Sequence, residues 1–204
     1  MQNVQLHLQP GVTAPPPLTL YIHLPWCVHK CPYCDFNSHA ARELPEARYI
    51  AALLADLESA LPAIWGRRIH TIFFGGGTPS LFSADGIDRL LTGVRTLTPL
   101  APNAEITLEA NPGAVEAGKF AEFRAAGVNR ISLGIQSVNP TPLAAPGRLH
   151  DDIEARRAAE LAAEHFDTFN LDLMYALPGQ TLEEARADIA AAAAFGTPHL
   201  SAYH

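Results

Sequence analysis

The 204-residue sequence has no cysteine outside one eight-residue stretch, Cys27–Cys34. Three thiols, an odd number held this close together, exclude a disulfide framework of the kind that staples small secreted domains. Basic residues are also scarce: 14 Lys and Arg stand against 21 Asp and Glu, for a formal charge of -7. That balance argues against a nucleic-acid-binding surface. No apolar run approaches the roughly 20 residues needed to cross a bilayer, so no transmembrane segment is expected. The first residues, "MQNVQLHLQPGVTAPPPLTL", have neither a basic start nor a compact apolar stretch and do not read as a signal peptide. Together with the clustered thiols this points to the reducing cytoplasm, where such a cluster serves metal binding or catalysis.

What is present is a β–α rhythm. Residues 1–17, with Pro15, Pro16 and Pro17, read as a stiff, poorly ordered lead-in. From residue 18 onward, strand-like runs alternate with helical spacing. The strands are "LTLYIHL" (18–24), "IHTIFF" (69–74), "AEITLEA" (104–110), "NRISLGI" (129–135), "FNLDLMY" (169–175) and the start of a sixth in "PHLSAY". The first helix follows Pro45, with Ile50, Leu53, Leu54, Leu57 and Leu61 at helical spacing, and the second carries Ile87, Leu90, Leu91, Val94 and Leu97. A short third helix ends near Gly127, and an Ala-rich fourth covers about 151–164. Thr181 and Glu184 form a capping-box pattern that opens a helix stopping at Gly196.

Regular alternation predicts parallel strands with helical crossovers, either an open doubly wound sheet or a barrel. The chemically unusual residues fall just after or at the ends of the first four strands, with Asp172 within the fifth. An open sheet gathers such residues at a switch point, whereas a barrel gathers them at the C-terminal ends of its strands. A partial (β/α) TIM-like barrel over 18–204 is therefore expected. A buried strand with no covering helix after it is an unusual stopping point. The rest of the barrel and a C-terminal domain are expected beyond His204.

Three readings of the thiols are open from spacing alone. "CPYC" could be a C-x-x-C redox pair, but "DFNSHAARELP" after it is too turn-rich for the immediate helix such a pair uses, and Cys27 is left without a role. Three thiolates with His23, His29 or His39 could hold zinc, though structural zinc sites usually join two distant ligand pairs. The third reading is a [4Fe–4S] cluster on Cys27, Cys31 and Cys34, one thiolate short of the usual four.

The spacing C-x-x-x-C-x-x-C, with Tyr33 before the last cysteine, resembles the signature of the radical S-adenosylmethionine (SAM) superfamily. The stretches "YIHLPWCVHKCPYCDFNSH", "FFGGGTPSL", "LEANPG", "GVNRISLGIQS", "GRLH" and "NLDLMYALPGQT" occur in order across roughly 18–204. As a set they resemble the oxygen-independent coproporphyrinogen III oxidase-like group. That resemblance implies a full or partial β/α barrel and a cluster whose open iron binds the amino and carboxylate groups of SAM. One electron then cleaves SAM to a 5′-deoxyadenosyl radical, the cofactor carrying the chemistry and the protein placing it.

The resemblance also implies roles by position. Gly76, Gly77 and Thr78 would hold the methionine amino group. Glu109 and Tyr21 would contact SAM, Gln136 and Arg148 its carboxylate and ribose neighbourhood, and Asp172 its ribose. The residues allow other roles: Glu109 could belong to a structural ion pair, and Tyr21 could be a core aromatic. Two positions depart from the oxidases of the group. Phe36 stands where they carry a further cysteine, and "CDFNSH" resembles instead the haem-chaperone branch. That branch implies haem as ligand, haem-accepting proteins as partners and an electron donor. The oxidase, which decarboxylates coproporphyrinogen III propionates, is the alternative. Pro146, where the group has leucine, denies an amide and restricts Ala145 close to Arg148.

Overall fold

The computed structural model describes residues 14–31, 34–64, 66–113, 118–137 and 152–204. Tyr33, Pro146, Arg148 and most of the proline-rich lead-in lie outside the described residues. The chain runs through β1 (Leu18–Leu24), β2 (Trp26–Cys27), β3 (His39–Ala40), α1 (Glu46–Ile64) and β4 (Ile69–Gly76). A 3-10 turn at Pro79–Leu81 leads into α2 (Ala84–Leu97), β5 (Leu100–Ala110) and α3 (Phe120–Ala126). Then come β6 (Arg130–Gln136), α4 (Asp152–His165), β7 (Thr168–Met174), α5 (Leu182–Ala194) and β8 (His199–Tyr203).

Strand order settles the architecture. The main sheet has six strands in the order β1-β4-β5-β6-β7-β8, and every pair is parallel. Each new strand is added on the same side of the last, so the order never reverses. A doubly wound sheet requires such a reversal; a partial TIM-like barrel does not. The pair β2 and β3 forms a separate two-stranded ladder in the first β-to-α connection. These strands are two residues each, too short for any periodic signal in the sequence.

The register sorts the sheet into two unlike faces. Ile22, Leu24, Ile72, Phe74, Ile106, Leu108, Ile131, Leu133 and Leu171 point one way and are buried, packed with the apolar stripes of the helices in one continuous core. The stripe of α2 is Ile87, Leu90, Leu91 and Val94. Tyr21, Phe73, Thr107, Glu109, Ser132, Asn170 and Asp172 alternate with these core residues and share the opposite face. The strands that read as nearly continuous apolar runs are thus apolar on one side only.

Local chemistry fixes the helix ends. Ser83 caps α2 by accepting from the Gly86 amide at 2.9 Å. The expected capping box is formed: the Glu184 amide donates to Thr181 Oγ1 at 3.2 Å, and Glu184 Oε2 accepts from the Thr181 amide at 2.7 Å. At the end of α3, Gly127 takes φ 107°. Its amide donates to the Arg124 carbonyl at 3.1 Å and that of Val128 to the Phe123 carbonyl at 3.0 Å, the paired bonds of a Schellman stop. Because a Cβ disfavours this φ, Gly127→Ala is expected to destabilise the fold by about 1–2 kcal/mol in urea unfolding, with no change in slope.

Candidate functional site

The site is built where β1 and β4 end. The Gly77 amide donates to the Leu24 carbonyl at 2.9 Å, and the Thr78 amide to the Trp26 carbonyl at 2.7 Å. A Cβ on Gly77 would lie 2.5 Å from the Trp26 carbonyl oxygen, which is backbone and cannot step aside. The glycine-rich turn after β4 is therefore joined directly to the segment entering the cysteine loop. Sequence reasoning assigned these glycines to ligand approach; at Gly77 the close approach is to the protein's own backbone.

The loop itself is clasped at its base. β2 and β3 pair Trp26 with His39 and Cys27 with Ala40. The His39 amide donates to the Pro25 carbonyl at 2.7 Å and that of Ala41 to the Cys27 carbonyl at 3.0 Å. Trp26 meets Tyr49 of α1 edge-on at 4.5 Å between ring centroids and also packs near Phe82. His23 reaches in from β1. Its Nε2 lies 2.8 Å from the Asn37 carbonyl, which only accepts, so Nε2 carries the proton and Nδ1 accepts from Tyr21 Oη at 3.0 Å. Cys27 is buried, while Cys31 and Cys34 are partly exposed. Cys34 Sγ lies 4.0 Å from Ser38 Oγ. Among the described residues no three His, Cys, Asp or Glu side chains are gathered closely enough to ligate one ion. The thiols share a loop and not a closed coordination sphere.

Beside this loop a cleft of about 360 Å³ opens over the C-terminal ends of the strands. It brings together Cys34 and Phe36 from the loop, Gly77 and Thr78 from the glycine-rich turn, Glu109 from β5, Gln136 from β6 and Asp172 from β7. Cys27, Cys31, Tyr21 and Gly76 do not line it. Gly76 reaches it through its amide, which donates to Glu109 Oε2 at 3.3 Å. Tyr21 is 56% exposed and stacks on Phe73, so it is not a core aromatic. Among the described residues Glu109 has no salt-bridge partner.

Gln136 is the last residue of β6, within the strand instead of after it. The ladder slips between Leu133 and Gln136, and Gln136 takes φ 62°. Regular alternation along β6 places Gln136 on the cleft face with Ser132 and Gly134, and the bulge strains the backbone at that strand end, as is common at functional sites.

The two cleft acids differ in environment. Burial pushes Glu109 up to about 7; the Gly76 amide works against this, and the charge of Asp172 adds to it. Burial also raises Asp172, but hydrogen bonds from Ser132 and Asn170, the nearby Ser201 hydroxyl and the positive charge of Arg130 oppose the rise. Ser132 and Asn111 are cleft residues that the sequence reading did not single out. Asn111 Nδ2 donates to Thr78 Oγ1 at 3.2 Å. Both lay inside quoted motifs, "LEANPG" and "NRISLGI", and a polar residue one strand step from a buried acid was the available signal.

Comparison with known proteins follows this geometry. The family model of the radical SAM superfamily matches residues 21–192. Heme chaperone HemW of Escherichia coli K12 is 55% identical over 190 residues, covering 92% of this chain and 50% of that protein. Heme chaperone HemW of Haemophilus influenzae is 53% identical over 194 residues, covering 92% of this chain and 51% of that protein. The chain thus spans about half the length of the curated relatives it matches. Among solved structures, the radical SAM enzyme coproporphyrinogen III oxidase (HemN) from Escherichia coli superimposes with a TM-score of 0.82 at 31% identity, covering 92% of this chain and 44% of that one. No helix among the described residues is long and apolar enough to cross a membrane.

One prediction follows from Glu109. A buried acid whose pKa is raised binds its proton more tightly folded than unfolded, so stability is greatest at low pH and falls as pH rises from about 4.5 through about 7. That shift corresponds to about 3 kcal/mol. Glu109→Gln is expected to remove this slope and to stabilise the ligand-free chain at pH 8, measured by urea unfolding across pH 5–8. With its sheet order, its motifs and its family match in agreement, the chain belongs to the radical SAM superfamily.

Proposed function

We propose that residues 18–204 form the radical SAM part of a cytoplasmic haem chaperone, preceded by a proline-rich lead-in at 1–17. In this reading Cys27, Cys31 and Cys34 hold a [4Fe–4S] cluster and the adjacent cleft holds SAM. The observation that carries it is the meeting of a three-cysteine loop and a row of strand-end polar groups at one cleft. Its volume lies within the roughly 300–1,000 Å³ usual for small-ligand sites. The donor set also fits: soft thiolates suit iron, and the open side of the loop faces groups able to bind an amino acid and a ribose.

When bound, the cluster supplies one electron for reductive cleavage of SAM. The chain's own residues bind and orient. Gly76, Gly77 and Thr78 would cradle the methionine amino group, with Glu109 giving up its proton as that cation arrives. Gln136, at the end of β6, and Arg148 would serve the carboxylate and ribose neighbourhood. Asp172 would accept from the ribose hydroxyls, and Tyr21 would close the side at β1. Tyr33 and Phe36 would shield the loop as apolar cover, Phe36 lining the cleft mouth.

The haem reading rests on the relatives named heme chaperone, at 55% and 53% identity. Phe36 supports it, because the oxidases of the group carry cysteine there. Haem would be the ligand, with haem-accepting proteins and an electron donor as partners. The second reading, coproporphyrinogen III oxidase, is favoured by the fold likeness to that enzyme. The purified protein, incubated anaerobically with haem or with coproporphyrinogen III plus SAM and reductant, separates the two. Stoichiometric haem binding and transfer to an apo-haemoprotein, without decarboxylation, is expected. Formation of protoporphyrinogen would overturn the chaperone reading.

A further inference from the structure

Behind the cleft, three neighbouring strands carry a row of small polar side chains that no ligand contact requires. Ser132 on β6 and Asn170 on β7 bond Asp172, and Ser201 on β8 bonds Asn170 behind it. Ser132 and Asn170 are almost fully buried, at 5% and 4% exposure. Register puts them there: Ser132 lies opposite Asn170, and Asp172 opposite Ser201. Asn170 Nδ2 lies 2.8 Å from Asp172 Oδ1 and 2.9 Å from Ser132 Oγ. Ser132 Oγ lies 3.1 Å from Asp172 Oδ2, and Ser201 Oγ lies 3.1 Å from Asn170 Oδ1.

Donor counting gives this network a direction. An ionised Asp172 only accepts, so the one Ser132 proton goes to Oδ2. Ser132 Oγ is then the acceptor of one Asn170 N–H, and Oδ1 of Asp172 accepts the other. Both amide protons are used on that side, so the Asn170 carbonyl faces Ser201 and takes its proton. With Asp172 charged, every bond in the network has one donor and one acceptor. A proton on Oδ1 would set it against the Asn170 N–H, and a proton on Oδ2 would reverse the Ser132 bond and leave the Ser132 proton without its carboxylate acceptor.

We infer that Asn170, oriented by Ser201 and backed by Ser132, is a positioning residue that keeps Asp172 an ionised, acceptor-only carboxylate turned toward the ligand's vicinal hydroxyls. This rests on the reading of the cleft as a SAM site. Burial alone would favour the neutral acid, and the network opposes it. Glu109, with a single backbone donor at 3.3 Å, has no such support, and burial pushes it up to about 7. The other titratable groups facing Asp172 are Glu109 from β5, Arg130 from β6, Tyr203 and His204 at the end of β8, and Asp35 and Cys34 of the loop.

The test measures SAM affinity against pH in the anaerobically reconstituted protein, for wild type, Asp172→Asn, Asn170→Leu, Ser132→Ala and Ser201→Ala. Infrared difference titration of the Asp172 carboxyl band, identified by its loss in Asp172→Asn, gives a second readout without ligand. Asn170→Leu is expected to move that band's titration to higher pH. It should weaken SAM binding about tenfold or more at pH 7, as removal of a hydrogen bond to a charged group does, and binding should recover at alkaline pH. A merely structural defect would weaken binding at every pH. Ser132→Ala should act in the same direction, and it decides the matter if Asn170→Leu does not fold. An unmoved titration with unchanged affinity overturns the inference. Failure of the wild type to bind SAM overturns the site reading instead, while the infrared arm still decides the role of Asn170.

Discussion

Two backbone hydrogen bonds, from Gly77 to Leu24 and from Thr78 to Trp26, hold the functional end of this molecule together. They tie the turn after β4 to the segment that leaves β1 and enters the cysteine loop. Because Gly77 has no room for a side chain, the two segments meet backbone to backbone. The cysteine loop, through Cys34 and Phe36, is thereby held beside the ends of β5, β6 and β7, which carry Glu109, Gln136 and Asp172. Without that join the loop would be a loose connection, and the cleft would lack one wall.

The sheet supplies the second constraint. Sequential parallel order places every strand's C-terminal end on one rim, so residues far apart in sequence converge without any long loop. Alternation then divides the labour: one face is buried against the helices, and the other is free to be polar. Buried acids on that polar face are costly unless supported. Asp172 is bonded by Ser132 and Asn170, with Ser201 behind Asn170, and Glu109 by one amide. That difference sets a carboxylate held by side-chain donors beside a group able to exchange a proton near neutral pH.

Much of this was legible in the residues. The six long strands, the capping box at Thr181 and the Gly127 stop follow from periodicity and from backbone preferences that act locally. The strand-end positions of the unusual residues pointed to a barrel, and the strand order agrees. Other features were hidden for physical reasons. The β2–β3 ladder is two residues long and is held by contacts of the loop base. The bulge at Gln136 depends on pairing with β7, which no local pattern encodes. Ser132 and Asn170 are small polar residues inside strands dominated by apolar ones. Their importance arises only when register sets them side by side. Tyr33 and Arg148 lie outside the described residues.

The account centres on one claim: the thiol loop and the strand-end cleft form a single site. Electron paramagnetic resonance of the anaerobically reconstituted, reduced protein tests it, read with and without SAM and alongside iron and sulfide analysis. About four irons and four sulfides per chain, lost in Cys34→Ala, and a cluster signal that changes on adding SAM are predicted. Zinc in place of iron, a Cys31–Cys34 disulfide, or a cluster signal indifferent to SAM would contradict it.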